Sequence, residues 1–430
     1  MTATKPSSSG RPVGLAPGGS EECAPLRVLM VAPTSFFGHY GGHIRILEET
    51  RALQSLGHDV RIVTYNKGED VAGVPIIRTR RLPWHADYEV GSSRHKLAFD
   101  AYLLASVLRF GLRWRPDIVH GHMHEGALIG GILARLLRVP LVFDFQGSLT
   151  GEMLDHGFIG NGGMAYRVWR RLERFICHLP DVVLTSSIQA RALLNEEFGV
   201  NGERIKPLPD CADLEHFNPR VASANDHAAL RRKFGIPPDR PVVVYLGLLA
   251  EYQGTDQILE AAVRLKAQGE DVHFLVMGYP RVEHYQVLAQ RLNVADRVTF
   301  TGRVDYCRDA PRYLSLGQVA VSPKLSATEG SGKVLNYMAL AKPVVAYDTP
   351  VHREYLGEAG VYAPAEDVAA FAEAIRALLH DPERRAALGA ALRERARNHY
   401  SWEVAGKEID GIYRSRACDK QNSVRIREVI

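Results

Sequence analysis

The chain has 430 residues, a length that favours two domains over a single core. Hydrophobic residues make up 46% and charged residues 24%, as in ordinary globular proteins, and a net charge of +4 is too mild to indicate a nucleic-acid partner. The five cysteines are scattered without a CxxC pair, which argues against a disulfide framework or structural zinc site and fits a reducing cytoplasm.

The chain lacks the run of roughly 20 apolar residues that a membrane-spanning helix requires. Residues 1–25 are rich in Ser, Gly and Pro and have no apolar core of the signal-peptide type, so they are predicted to form a disordered leader. We therefore expect a cytoplasmic protein whose contact with the inner membrane face, if it has one, is peripheral.

The first half of the chain alternates short, β-branched-rich apolar runs with segments of helical periodicity, which is typical of a doubly wound parallel sheet. The predicted strands are 26–32, 59–64, 117–120, 140–144, 181–185 and 205–209. The predicted helices between them are 43–56, 126–137, 164–178 and 188–198.

The same alternation restarts after a proline-rich connection over 211–238. The predicted strands are 242–246, 273–277, 298–301, 319–322 and 343–346, and the main helices are 255–268, 284–292, 333–341 and 368–380. We expect an α/β protein with Rossmann-like domains at 26–218 and 219–400, a helix at 401–416 that packs back toward the N-terminal domain, and a tail at 417–430. Parallel sheets bind ligands at the carboxyl ends of their strands, so the cleft between the two domains is the expected site.

Glycines follow the first predicted strand and precede the first helix. Gly41 and Gly42 would let backbone N–H groups approach a phosphate at the helix N-terminus. A tight strand-to-helix turn without a ligand explains them equally well, since the spacing is not that of a dinucleotide-binding fingerprint.

Three alternate histidines, His120, His122 and His124, end another predicted strand. A metal site is one interpretation, because strand alternation would place all three on one face, but no matching carboxylate or cysteine cluster is evident. A solvated loop edge is the second. The third is a cleft histidine that hydrogen-bonds substrate or relays a proton.

The segment 322–345 is the most informative. A strand leads into a glycine-containing loop, and Ser331, Gly332 and Lys333 follow where a helix opens. Free N–H groups and one ammonium there suit a diphosphate, while Glu329 in the loop could accept hydrogen bonds from sugar hydroxyls. A capped turn with a solvated Lys333 remains the alternative.

The order of motifs resembles the family 4 glycosyltransferases, which are retaining GT-B enzymes that use nucleotide-activated sugars. The matching pieces extend from 26 to 413 and include 41–42, 55–60, 115–122, 208–219, 298–304, 329–332, 337–345 and 400–403. The resemblance implies that His122 lies near the reacting sugar and Gly42 beside the phosphates. It also implies that Glu329 faces the donor sugar and that Ser331 and Gly332 hold phosphate.

This chain departs from the family pattern at three positions. The phosphate-binding Arg and Lys of the family fall on Leu248 and Gln253, and the ribose-binding glutamate falls on Asn336. Asn336 can still bond a ribose hydroxyl, and the cations available as substitutes are Arg303, Lys324 and Lys333. These departures resemble a divergent branch of exopolysaccharide-associated sugar transferases.

The predicted activity is transfer of a sugar, with retention, from a nucleotide-diphosphate donor to a carbohydrate or lipid-linked acceptor, without a required metal, a tightly bound cofactor or a nucleic-acid partner. Basic and aromatic residues over 109–115 and 167–175 could meet anionic membrane, or could form a solvated helix face. A GT-B sugar-nucleotide 2-epimerase and a non-catalytic carbohydrate-binding subunit are the competing hypotheses.

Overall fold

The computed structural model describes residues 24–38, 41–81, 96–155, 159–186, 188–325 and 330–429. Two parallel sheets organise the chain, as the alternation of strands and helices predicted. Most of the predicted leader, residues 1–23, lies outside the described residues.

The N-terminal sheet has seven strands in the order β3-β2-β1-β4-β5-β6-β7, and every pair is parallel. Its strands are β1 Arg27–Ala32, β2 Asp59–Thr64, β3 Ile76–Arg78, β4 Ile118–His122, β5 Leu141–Phe145, β6 Val182–Thr185 and β7 Ile205–Pro207. Its helices are α1 Gly41–Ser55, α2 Lys96–Trp114, α3 Met123–Leu137, α4 Leu149–Asp155, α5 Met164–His178 and α6 Ile188–Ala192.

The C-terminal sheet has six parallel strands in the order β10-β9-β8-β11-β12-β13. Its strands are β8 Val242–Leu246, β9 His273–Met277, β10 Val298–Phe300, β11 Val319–Ser322, β12 Val344–Tyr347 and β13 Val361–Ala363. The remaining helices are α7 Ala224–Phe234, α8 Thr255–Ala267, α9 Val282–Arg291, α10 Ala310–Ser315, α11 Gly332–Ala339, α12 Pro350–Leu356, α13 Val368–His380, α14 Pro382–His399 and α15 Trp402–Val429.

Apolar side chains cover both faces of each sheet, because alternate residues of a buried parallel strand point to opposite helix layers. In β1, Met30 packs with α1 and α15, whereas Val31 packs with α2 and α3. The C-terminal helix therefore completes the N-terminal domain, and this packing puts α15 against α1. Each described helix falls short of the length and apolar content that crossing a bilayer requires.

Several boundaries differ from the predictions. α15 continues to Val429, so most of the predicted tail at 417–430 is helical, because this tail contains no glycine or proline. The predicted helix 188–198 divides into α6 and a π-helical turn at Leu193–Glu197. Helix α2 was not predicted, since apolar residues occupy most of its circumference and obscure the 3.6-residue period.

Candidate active site in the interdomain cavity

A cavity of about 430 Å³ lies between the two domains, at the ends of strands from both sheets. The N-terminal wall includes Gly41, Gly42, Tyr65, Asn66, Lys67, Lys96, Met123 and Gln146, and the C-terminal wall includes Gly247, Leu248, Gln253, Lys324, Ser331, Gly332, Lys333 and Asn336. The cavity thus brings together seven of the ten residues that the sequence predicted as functional: Gly41, Gly42, Lys324, Ser331, Gly332, Lys333 and Asn336.

The ammonium of Lys333 lies at the loop that follows β8. Its Nζ donates to Gln253 Oε1 at 2.7 Å and contacts Tyr245 Oη at 3.2 Å, above the Tyr245 ring at 4.5 Å from its centre. A Cβ added to Gly247 would lie 2.8 Å from this Nζ, so the absence of a side chain at Gly247 leaves room for the ammonium. A cation from the first turn of α11 therefore lies beside Gln253, the position at which the resemblance to the family 4 glycosyltransferases implies a lysine.

The loop before α11 is held by side chains at and behind the cavity wall. Lys324 is buried and donates to the Gly330 carbonyl at 2.8 Å. The Ser331 hydroxyl lies 3.4 Å from that of Ser322, which lies 3.0 Å from Nε2 of His352. Burial lowers the pKa of His352 to about 4, so the ring is neutral near pH 7. These contacts fix the start of α11. The Asp210 carboxylate also lies against this loop, since a Cβ added to Gly332 would lie 3.7 Å from its Oδ2.

Asn336 lies one turn further along α11. It is buried, lines the cavity, and its Oδ1 accepts a hydrogen bond of 3.1 Å from the Tyr306 hydroxyl. This bond orients the amide, whose NH2 group can donate to a ligand.

Arg303, which the sequence predicted as a donor-binding residue, lies at the junction of the two domains. Its guanidinium pairs with Glu69 at 2.7 Å and lies 5.7 Å from the centre of the Tyr279 ring. The Tyr279 hydroxyl in turn donates to the Gly38 carbonyl at 2.8 Å. Because Glu69 and Gly38 belong to the N-terminal domain, Arg303 joins the two domains, and the described lining of the cavity does not include it.

His122 is fully buried, and the described lining of the cavity does not include it. Its Nδ1 lies 3.1 Å from Oδ2 of Asp144, which also accepts a bond from Gln146 at 2.8 Å. Of these three residues only Gln146 reaches the cavity wall. The structure therefore connects His122 to the site through Asp144 and Gln146.

Arg45 holds this buried network together. Its guanidinium bonds Asp144 at 3.0 Å and Asp210 at 2.9 Å, and it pairs with Glu49 at 3.0 Å. Burial alone would raise the pKa of Asp144, but the charge of Arg45 and the bond to His122 hold that pKa well below its ordinary value. Asp144 is therefore ionised and acts as a fixed acceptor.

The three histidines do not share a face, contrary to the alternation considered for the sequence. His120 stacks on His122 with ring centres 4.4 Å apart, but β4 ends at His122 and α3 begins at once. His124 consequently turns away to contact the rings of Phe143 and Phe145. Met123, with φ of +56°, makes this abrupt change of direction.

Glu49, His120 and His122 are the described residues that could hold a metal ion, since one ligand atom from each lies within 4.8 Å of the others. The sequence did not reveal this carboxylate, because Glu49 comes from α1 and the fold alone brings it to β4. The guanidinium of Arg45 already pairs with Glu49 Oε1, so a metal ion would share that carboxylate with a cation. This competition disfavours a metal at the cluster.

Glu329 falls in 326–329, outside the described residues, so its predicted role stays a prediction. Sequence reasoning missed Arg45, Asp144, Gln146 and Tyr245. Asp144 had a detectable signal, because it is a charged residue inside the apolar run of β5. Tyr245 had none, since a tyrosine in a buried strand is ordinary.

Two family models cover most of the chain. The C-terminal half matches the model described as glycosyl transferases group 1 over residues 226–395. The N-terminal half matches the glycosyl transferase 4-like domain over residues 41–211. The two models meet within the predicted interdomain connection at 211–238.

Curated relatives are 26–31% identical to this chain over the aligned residues. An alpha-D-kanosaminyltransferase of Streptomyces kanamyceticus is 29% identical over 72% of this chain and 80% of its own length. EpsD of Bacillus subtilis, assigned as a glycosyltransferase, is 30% identical over 62% of this chain and 68% of its own length.

Solved structures share the fold at lower identity. Sucrose-phosphate synthase of Thermosynechococcus elongatus superposes with a TM-score of 0.76 at 21% identity, covering 91% of this chain and 98% of that one. HepE of Anabaena, in complex with UDP and glucose, superposes with a TM-score of 0.73 at 16% identity, covering 91% and 100%. Both confirm the predicted architecture of two Rossmann-like domains.

Proposed function

Because the chain belongs to the glycosyltransferases of GT-B fold, we propose that it moves a sugar from a nucleotide-diphosphate donor, held at the start of α11, to an acceptor hydroxyl with retention of configuration. The observation that carries this proposal is the Lys333 ammonium, 2.7 Å from Gln253 at the cavity wall. Lys333 supplies a cation beside the loop that follows β8. The resemblance implies a lysine in that loop, but this chain has Gln253 there.

The diphosphate would lie against the backbone N–H groups of Ser331 and Gly332, with Lys333 on one side. Helix N-termini attract anions, and a charge-assisted hydrogen bond contributes about 1.5–3 kcal/mol. Lys324 adds a second positive charge beneath the same loop. We propose that these groups stabilise the charge that develops on the leaving diphosphate, so that the reaction requires no metal ion.

The nucleoside would lie near Asn336, whose amide donates to a ribose hydroxyl in place of the family's carboxylate. HepE, which has the same fold, is solved with UDP. A nucleoside diphosphate is accordingly the ligand that we expect in the C-terminal half of the cavity.

Glu329 and His122 complete the proposed site in different ways. Glu329, next to Gly330 in the chain, would accept hydrogen bonds from the donor sugar. His122 is assigned a positioning role, because it holds Asp144, and Asp144 holds Gln146 at the wall beside Gly42.

The acceptor would occupy the N-terminal half of the cavity, near Tyr65, Asn66, Lys67 and Lys96. We propose that its hydroxyl attacks the anomeric carbon on the face that the diphosphate leaves, and that a phosphate oxygen takes the proton. This route gives retention without a covalent enzyme intermediate. Carbohydrate and lipid-linked acceptors, as in polysaccharide or glycolipid synthesis, are the classes proposed, the latter at the inner membrane face.

The test incubates the protein with a panel of nucleotide-diphosphate sugars and saccharide or lipid-linked acceptors, and identifies products by mass spectrometry and NMR. We expect one donor to yield a product with the donor's anomeric configuration, and Glu329→Ala to abolish transfer while the melting temperature is kept. Release of an altered free sugar without acceptor would instead establish an epimerase. Nucleotide-sugar binding with no turnover on the panel would establish a non-catalytic subunit, and full activity of Glu329→Ala would contradict the assignment of this residue.

A further inference from the structure

The outer surface of three neighbouring N-terminal helices carries most of the large exposed apolar side chains of the described residues. Four lie on α5, two on α3 and two on α2, so these helices carry eight of the eleven large apolar residues that the described chain exposes. Helix α3 packs against both α2 and α5, which makes the three helices one layer. We call the solvent-facing side of this layer the α2–α3–α5 surface.

Helix α5 carries the longest exposed apolar stripe on this surface. Met164, Val168, Leu172 and Phe175 recur at spacings of three and four residues, which places them on one face of the helix. Met164 is 81% exposed, Val168 56% and Phe175 55%. Burial of α5 against its own domain uses another side of the helix, where Ile176 and Cys177 are enclosed.

Helix α3 extends the stripe with an exposed pair one turn apart, Ile132 and Leu136, the latter 61% exposed. Leu112 on α2 is also exposed. Contiguous apolar surface of this kind marks an interaction site in a monomeric protein, because isolated exposed apolar residues are common but clusters are not.

The charges on the surface have one sign. The exposed charged side chains of the three helices are arginines: Arg109, Arg113, Arg135, Arg167, Arg171 and Arg174. The acidic residues of the same helices are less accessible, and each has a partner within the fold. Asp100 accepts from Tyr65, Glu125 pairs with Lys96, and Glu173 accepts from Ser148.

Helix α5 arranges the two kinds of side chain side by side. Arg167, Arg171 and Arg174 repeat at the same spacing as the apolar stripe and follow its edge. An amphipathic helix with arginines beside large apolar residues can place the apolar groups among acyl chains while the guanidinium groups meet phosphate. A protein partner would have to present carboxylates opposite these arginines, whereas an anionic bilayer offers phosphate across the whole surface.

We propose that the α2–α3–α5 surface docks the protein on an anionic phospholipid bilayer. Lys96, Phe99 and Met123, at the start of α2 and α3, line the interdomain cavity, so the docking surface and the cavity share two helices. The inference deepens the proposed function by naming the membrane-contact surface, and its chemistry is independent of donor binding.

The test measures co-sedimentation of the full chain with vesicles of phosphatidylcholine, with and without phosphatidylglycerol. We expect binding only to the mixed vesicles and weakening as salt is raised. Replacing all three α5 arginines by glutamine (R167Q/R171Q/R174Q) should lower the partition coefficient by roughly 100-fold. Val168→Ser/Phe175→Ser should weaken binding even at low salt, because the arginines remain but the apolar anchor is lost.

Matched controls separate this result from general loss of charge or structure. Arg397→Gln and Val404→Ser alter exposed residues of α14 and α15 and should leave vesicle binding unchanged. UDP or GDP binding should be the same in all variants, so a failure of donor binding cannot be mistaken for a failure of docking. Three results would overturn the proposal. The protein could bind neutral vesicles equally well, it could bind no vesicles, or it could form a concentration-dependent dimer that the Val168→Ser/Phe175→Ser variant abolishes.

Discussion

The charges in the cleft depend on single residues, and two of them show how much of the site can be predicted from the sequence. The loss of the family's lysine at Gln253 was visible in the sequence, and so was Lys333 as one of three candidate substitutes. The structure places Lys333 beside Gln253, a contact that sequence could not predict because it depends on how α11 approaches the β8 loop. Arg303 had the same charge but lies at the domain junction.

Glu48 on α1 gives a prediction at this scale. Burial, and next the charge of Asp213, raise the pKa of Glu48 from 4.5 to about 7, although Arg51 lies 3.2 Å away. The folded protein then holds a proton that the unfolded chain loses between these values, so the free energy of unfolding falls as pH rises from about 4.5 to about 7. Glu48→Gln should remove this slope and stabilise the protein at pH 8 by about 1–3 kcal/mol.

Urea unfolding of both proteins at pH 4.5 and pH 8 checks this prediction. Glu403→Gln, at an exposed carboxylate paired with Lys407, is the matched control and should lack the gain at pH 8. The prediction is wrong if the wild type and Glu48→Gln differ by the same amount at both pH values.

At the scale of elements, the strands were predictable and the junctions were not. Buried parallel strands such as β1, β2 and β8 are short β-branched runs, so sequence finds them within a residue or two. The passage from β4 to α3 left no such signal. It occurs between His122 and Met123 without an intervening loop, and this turn sends His124 to the other side of the layer.

Helix α15 gives the prediction for this scale. Tyr413 is fully buried between α15 and the N-terminal sheet, and its hydroxyl lies 2.7 Å from Nδ1 of His120. Tyr413→Phe leaves that buried nitrogen unpaired and should cost about 1–3 kcal/mol. Tyr413→Ala also opens a cavity and should cost about 3–5 kcal/mol.

Thermal and urea unfolding rank these variants against Ser415→Ala, an exposed position on the same helix that should change stability by less than about 0.5 kcal/mol. If Tyr413→Ala were as stable as Ser415→Ala, α15 would not be docked on the N-terminal domain as described.

For the whole molecule, the repeated alternation of strands and helices was enough to predict two doubly wound sheets and a cleft between them. The contacts that set the two domains against each other were not predictable. Arg303 with Glu69, Tyr279 with Gly38 and Tyr355 with Ser186 each join residues far apart in sequence whose local pattern is unremarkable. The exact domain boundary, predicted near 218, stays a prediction for the same reason.

The central claim is that Lys333 provides the donor-site cation that the β8 loop lacks. Calorimetric titration of UDP and GDP into the wild type, Lys333→Gln and the exchange variant Gln253→Lys/Lys333→Gln tests it most directly. We predict that Lys333→Gln weakens binding of the preferred nucleotide by about 10–100-fold, the effect of one charge-assisted hydrogen bond. The exchange variant should recover most of that affinity, because the lysine introduced in the β8 loop places an ammonium where that of Lys333 lies in the wild type. Unchanged affinity in Lys333→Gln, or an exchange variant as weak as that single variant, would contradict the account.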